Sequence, residues 1–106
     1  MLRALMGVGM ALVVFPGAVR AEVVQGKVKS ADPKAGILTV KIGDHEQQFK
    51  VTRDTRFLMR NGRIVDEGLR SGYFRKEGNA VEVTYEVKDG REEAQQVKLL
   101  YGMKQK

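Results

Sequence analysis

Apolar and polar residues alternate along five stretches of this 106-residue chain, a period of two that is typical of β-strands with one buried face. The stretches are residues 23–29, 37–42, 45–51, 80–87 and 92–101. An odd step at Gln95 and Gln96 interrupts the last one and predicts a β-bulge there. In the last two stretches the residues expected to face inward are Val81, Val83, Tyr85, Val87, Ala94, Val97, Leu99 and Tyr101.

Short turn sequences separate most of these stretches. Pro33 and Gly36 favour a chain reversal, and Asp89-Gly90 is a strong hairpin signal. The central residues 52–72 lack the alternation, and there we expect a short extended piece at 57–59 and a helical turn within 64–69. The pattern predicts an all-β fold, a small five-stranded OB-like barrel whose central connection lies where an OB-fold carries its helix. An open β-sandwich or meander is the alternative.

The first 21 residues follow a different pattern. Arg3 precedes an apolar run of about 12 residues that ends at Pro16 and Gly17, which is typical of a secretory signal peptide cleaved after Ala21. A membrane-spanning helix needs about 20 apolar residues. We therefore expect a signal peptide at 1–21, a single domain at 22–106, no transmembrane segment after cleavage, and a bacterial protein that is periplasmic or secreted.

Residue usage argues against catalysis. The chain has one histidine, no cysteine and only two serines, Ser30 and Ser71, at spacings that suggest no nucleophile–histidine–acid arrangement. The lack of cysteine also excludes disulfides and thiolate metal sites. We expect a non-enzymatic protein without a cofactor.

Charge is concentrated in the centre of the chain. Without Arg3 and Arg20, 17 Lys and Arg face 13 Asp and Glu, a net charge of +4, and residues 53–76 alone hold seven cations against three carboxylates. Arginine pairs bidentately with phosphate or carboxylate groups. We expect an anion-binding surface, with Phe57, Tyr73 and Phe74 as residues that stack on a ligand. Its cations are Arg53, Arg56, Arg60, Arg63, Arg70, Arg75 and Lys76.

The expected partner of this surface is an anionic component of the bacterial envelope or an acidic protein. We do not expect nucleic acid as a partner, because a net charge of +4 is modest for that class. The competing interpretation is that the arginines serve solubility alone.

The turn glycines, turn aspartates and alternating valines of residues 26–32, 36–40, 49–55, 76–85 and 94–97 carry a resemblance to a known family. They resemble the small bacterial exported β-barrel domains described as a family of unknown function. More distantly the chain is similar to periplasmic OB-fold domains, including copper chaperones. The resemblance implies a fold and a compartment, and it implies no reaction.

A metal site is the second hypothesis. The copper chaperones of this fold use a histidine, methionines and a tryptophan, and this chain offers His45, Met59 and Met103 but has no tryptophan. The competing interpretation is that His45 is an exposed turn residue and Met59 fills the core. The function suggested by this set is a periplasmic metal-binding or stress-related chaperone. A structural accessory domain without a small ligand is the third hypothesis.

Overall fold

The computed structural model describes residues 21–102 of the chain, so the predicted signal peptide lies outside the described residues except for Ala21. Within this part, no helix is long and apolar enough to cross a membrane. The strands are β1 (Glu22–Asp32), β2 (Ile37–Ile42), β3 (His45–Lys50), β4 (Arg56–Leu58), β5 (Ala80–Lys88) and β6 (Arg91–Tyr101). A 3-10 turn (Gly68–Arg70) and the one-turn helix α1 (Gly72–Arg75) lie between β4 and β5.

The strands form one sheet in the order β3-β2-β1-β5-β6-β4. Neighbours from β3 to β6 are antiparallel, and β3 meets β6 in parallel at Lys50 and Glu93, which closes a barrel of five strands. The short β4 adds to the other part of β6, also in parallel. The structure confirms the predicted all-β, five-stranded OB-like barrel, and the open alternative is wrong.

The barrel interior is filled by the residues that alternate along the strands. Burying this apolar surface is the main driving force available to a small domain without disulfides. Phe49 of β3 and Tyr85 of β5 meet inside with ring centroids 5.1 Å apart. The core consists of Val28, Leu38, Val40, Phe49, Phe57, Leu69, Phe74, Val81, Val83, Tyr85, Ala94, Val97 and Leu99.

Two residues predicted to face inward are exposed. Val87 is 62% exposed because β1 reaches only as far as Tyr85, so the end of the β5–β6 hairpin projects beyond the barrel. Tyr101 is 77% exposed and follows a register shift after Leu99. The predicted bulge is confirmed: Gln95 is the extra residue of β6 where the register with β5 shifts.

The helical residues begin later than expected. The segment predicted as a helical turn starts in extended form, because Ile64 pairs with Leu58 and the Val65 amide donates to the Phe57 carbonyl at 2.8 Å. The 3-10 turn and α1 follow, and they bury Leu69 and Phe74 against the barrel. The central connection therefore carries a helical plug, as an OB-fold does, displaced by a few residues from the prediction.

Candidate functional site

A tight turn at residues 52–55 holds the start of the basic segment. The Thr55 hydroxyl accepts a hydrogen bond from the Thr52 amide at 3.0 Å and donates one to the Ala94 carbonyl of β6 at 2.7 Å. One side chain therefore closes the turn and attaches it to the barrel. Arg53 and Arg56 are exposed on either side of this anchored point.

A second turn, at residues 59–63, carries Arg60 and Arg63. The Met59 amide donates to the Arg63 carbonyl and the Gly62 amide to the Met59 carbonyl, both at 2.8 Å. The Asn61 side-chain oxygen accepts from the Arg63 amide at 2.9 Å. These three bonds fix the backbone, while both arginine side chains remain exposed.

The helical plug, formed by the 3-10 turn (Gly68–Arg70) and α1 (Gly72–Arg75), carries the last part of the basic segment. Ser71 caps α1 by accepting a hydrogen bond from the Tyr73 amide at 3.2 Å, and the fully buried Phe74 fastens the helix to the core. Arg70 is exposed at the end of the 3-10 turn, and its carbonyl accepts a hydrogen bond from the Arg75 guanidinium at 3.3 Å.

Four shallow depressions follow one another along this surface, with volumes of about 430, 290, 550 and 450 Å³. Lys34 and Arg70 line the first, which shares Arg53 with the second. The second and third meet at Ile64, and the third and fourth share Arg63. We call this surface the basic trough, defined by its cations Lys34, Arg53, Arg56, Arg60, Arg63 and Arg70.

The trough cations form no ion pairs within residues 21–102, so they are accessible to a ligand. The ion pairs among residues 21–102 join Lys29 to Glu77 at 3.8 Å, and Lys88 to Glu86 and Glu93 at 3.9 and 3.5 Å. All of them lie outside the trough. Two exposed carboxylates, of Asp66 and Glu67, also line it, so the trough is cationic with an acidic patch in its middle.

The structure places five of the seven predicted cations in the trough. Arg75 and Lys76 are not among its lining residues, since Arg75 turns back to the Arg70 carbonyl and Lys76 is half-buried. Sequence reasoning missed Lys34 as a member, because that lysine reaches the trough from the β1–β2 loop.

The predicted stacking role is wrong for two of the three aromatic residues. Phe57 is 4% exposed and Phe74 is fully buried, and the two rings form an edge-to-face pair with centroids 4.9 Å apart. They hold the plug on the barrel and present no face to a ligand. Tyr73 is half-buried and lines the third depression, so it alone remains available for such a contact.

A separate and larger depression, of about 590 Å³, lies between β3 and the β5–β6 hairpin. Ile37 and Phe49 contribute apolar surface, and Lys50 and Arg91 contribute positive charge. OB-folds bind oligomeric ligands on the face of strands 2 and 3 and on the loops beside it. Sequence reasoning missed Arg91 because positive and negative charges are equal in number in the chain after residue 21 when residues 53–76 are left out. The position of the β5–β6 hairpin in an OB-fold is the signal that could have identified this arginine.

Two of the three metal-ligand candidates, His45 and Met59, are on different elements. His45 is exposed at the first position of β3, and Met59 is half-buried against the core beside the second turn. Residues 21–102 contain no group of three or more His, Cys, Asp or Glu side chains arranged to hold a metal ion. The third candidate, Met103, lies outside the described residues.

Comparisons with known proteins give a likeness of fold. No family model matches the chain, and no curated protein matches it. The structure is similar to that of apo-CusF residues 6–88 from Escherichia coli, with a TM-score of 0.58 and 15% sequence identity. The match covers 84% of this chain and 98% of the other. The expected similarity to OB-like barrels is therefore confirmed at the level of the fold.

Proposed function

We propose that this protein is a non-catalytic binding domain of the bacterial periplasm that holds an anionic, chain-like ligand along the basic trough. The observation that carries the proposal is the row of depressions lined by Arg53, Arg56, Arg60, Arg63 and Arg70, together with Lys34, all outside the ion pairs of the described residues. Sulfated or phosphorylated glycans of the envelope have the matching chemistry, a repeated negative charge along a flexible chain.

The arginines suit this task physically. Each guanidinium presents a planar fork of donors that matches a phosphate, sulfate or carboxylate group. Because Arg53, Arg60 and Arg63 stand on hydrogen-bonded turns, little backbone entropy is lost when a ligand binds. Asp66 and Glu67 interrupt the cationic row, so we expect the ligand to place its charges on either side of them.

An amide NMR titration of residues 22–106 with a short sulfated oligosaccharide tests the proposal. We expect salt-sensitive shifts that cluster at Lys34, Arg53 and Arg70 and continue along residues 56–63. The same titration without shifts, or with weak shifts spread over Lys27 and Lys41, would contradict it, since those two exposed lysines face each other on β1 and β2.

The second candidate function is metal binding by a copper-type chaperone. The likeness to apo-CusF and the resemblance to copper chaperones favour this candidate over the first, whereas the arginines of the trough, unpaired within the described residues, favour the first. Here His45 would be the one imidazole ligand, with Met59 or Met103 as thioether ligands.

Salt and mutation separate the two candidates. Silver(I), a redox-stable stand-in for copper(I), should bind with an affinity that persists at about 0.5 M salt and is lost in His45→Ala. Anion binding should show the reverse pattern. Unchanged silver binding in His45→Ala would count against a metal site built on this histidine.

A further inference from the structure

Ile64 is the large apolar residue that stands out on the basic trough. It is 63% exposed although Val65, its neighbour, packs on the core. The alternation of an extended chain sends Val65 inward and Ile64 outward. The pairing of Ile64 with Leu58 fixes its backbone, so the side chain cannot fold under the turn to escape water. Burial of the Ile64 side chain against a partner would remove apolar surface from water and so contribute favourably to the free energy of binding.

Two cationic side chains lie near this apolar residue, since Arg63 lines the third depression with Ile64 and the fourth with Arg60. Arg60 and Arg63 are exposed on the fixed 59–63 turn, and the depression between them has the Met59 thioether side chain in its lining. Neither arginine forms an ion pair within the described part of the chain. An exposed apolar side chain beside two unpaired cations, on a rigid turn, has the two kinds of contact that a membrane surface offers.

We propose that the 59–63 turn together with Ile64 is a docking surface for an anionic lipid bilayer. Ile64 enters the boundary between headgroups and acyl chains, and Arg60 and Arg63 contact lipid phosphates. The acidic side chains of Asp66 and Glu67 lie on the other side of Ile64, along the third depression. They oppose closer approach, so the contact is peripheral and readily reversed. This surface shares Arg60 and Arg63 with the proposed glycan site and differs from it by the apolar contact of Ile64.

A fluorescent probe tests the insertion directly. The chain has no tryptophan, so Ile64→Trp introduces a single indole whose emission reports its surroundings. Val87→Trp is the matched control, because Val87 is exposed to nearly the same extent, 62% against 63%, on the β5–β6 hairpin. Within the described residues, every strand and the plug contribute to the core, so residues 22–106, the expected mature chain, are used for the test.

With phosphatidylglycerol-containing vesicles we expect a blue shift of the emission from Ile64→Trp and none from Val87→Trp. Vesicles of phosphatidylcholine alone should give no shift with either variant. Equal shifts from the two variants, or no shift from Ile64→Trp, would overturn the proposal, since insertion would then be unspecific or absent.

Vesicle sedimentation tests the contribution of charge. Arg60→Gln with Arg63→Gln should weaken partitioning by about fivefold for each arginine, the effect expected for a cation at an anionic surface. Lys27→Gln with Lys41→Gln removes the same charge elsewhere and should have a much smaller effect. Equal losses in the two double variants would mean general attraction by net charge and would refute a defined docking surface.

Ile64→Ser distinguishes this proposal from glycan binding. The variant should lose vesicle binding by about tenfold, because the apolar contact is removed. Its affinity for the soluble sulfated oligosaccharide should fall much less, since the charge contacts of the arginines remain. Loss of vesicle binding through Arg53→Gln with Arg70→Gln, and not through Ile64→Ser, would move lipid contact to the other end of the trough and contradict the proposed surface.

Discussion

The hydroxyl of Thr55 donates a hydrogen bond to the carbonyl oxygen of Ala94 at 2.7 Å and so fastens the basic segment to the last strand of the barrel. Ala94 is almost fully buried, so its carbonyl has little access to water as a substitute partner. The same hydroxyl accepts from the Thr52 amide. A single side chain therefore connects the fold to the surface that carries the proposed ligand.

Replacing Thr55 by valine should destabilise the protein. Thr55→Val preserves the shape and removes the hydroxyl, leaving the Ala94 carbonyl and the Thr52 amide without that partner. We expect a loss of about 1–3 kcal/mol in the free energy of unfolding, measured by urea denaturation. Thr55→Ser keeps the hydroxyl and should cost less than half as much. If Thr55→Ser costs as much as Thr55→Val, the methyl group matters as much as the hydroxyl, and the hydrogen bonds do not dominate at this position.

Gly26 of β1 allows the close approach of β2, and this predicts an unusually large effect of a small substitution. A Cβ atom at this position would collide with the Lys41 carbonyl oxygen and would lie 2.7 Å from a Val40 methyl group. We expect Gly26→Ala to cost about 2 kcal/mol or more in urea denaturation, because the backbone of β2 must move.

A gain of stability in Gly26→Ala would contradict this account of the β1–β2 contact. In an unstrained position the same substitution stabilises by about 0.4–1 kcal/mol, through the unfolded chain. Gln48→Ala, at an exposed position of β3, is the control and should change stability by less than about 0.5 kcal/mol.

Most of the barrel could be predicted from the sequence because each strand has one face in the core, and alternation records that face directly. Strand ends were harder to predict. Whether Val87 is buried depends on how far the neighbouring strand β1 extends, which the local sequence of β5 does not contain. Likewise β4 was identified only as an extended piece, since its parallel pairing with β6 joins residues about 40 positions apart in the chain.

The candidate site could be predicted in part, and for a similar reason. The density of arginine in residues 53–76 indicated the surface, since long charged side chains are rarely buried. The sequence did not reveal that Phe57 and Phe74 would face each other inside, because this depends on how the plug folds over the barrel end. Nor did it join Lys34 to the same surface, which needs the tertiary position of the β1–β2 loop.

The pair of Phe57 and Phe74 predicts how the plug contributes to stability. Phe74→Leu removes the edge-to-face contact and leaves a small cavity, so we expect a loss of about 1–2 kcal/mol in urea denaturation. Tyr73→Phe, at the half-buried neighbouring position, is the control and should cost less. If Phe74→Leu is neutral, the plug does not contribute to the cooperative core.

The salt dependence of oligosaccharide binding gives the last prediction. Exposed charges attract one another over a screening length of about 10 Å at 0.1 M salt and about 3 Å at 1 M. If the trough arginines supply the affinity, raising the salt across this range should weaken binding of the sulfated oligosaccharide by at least about tenfold in a calorimetric titration.

The double variant Arg53→Gln with Arg70→Gln should bind more weakly at low salt and respond less to added salt, because fewer charge contacts remain to be screened. Lys27→Gln with Lys41→Gln has the same net charge and should retain most of the affinity and the salt response of the parent protein. If the lysine variant loses as much as the arginine variant, net charge alone explains binding and the trough has no special role. If neither variant loses affinity, the ligand is held elsewhere, and the depression beside Lys50 and Arg91 becomes the surface to mutate next.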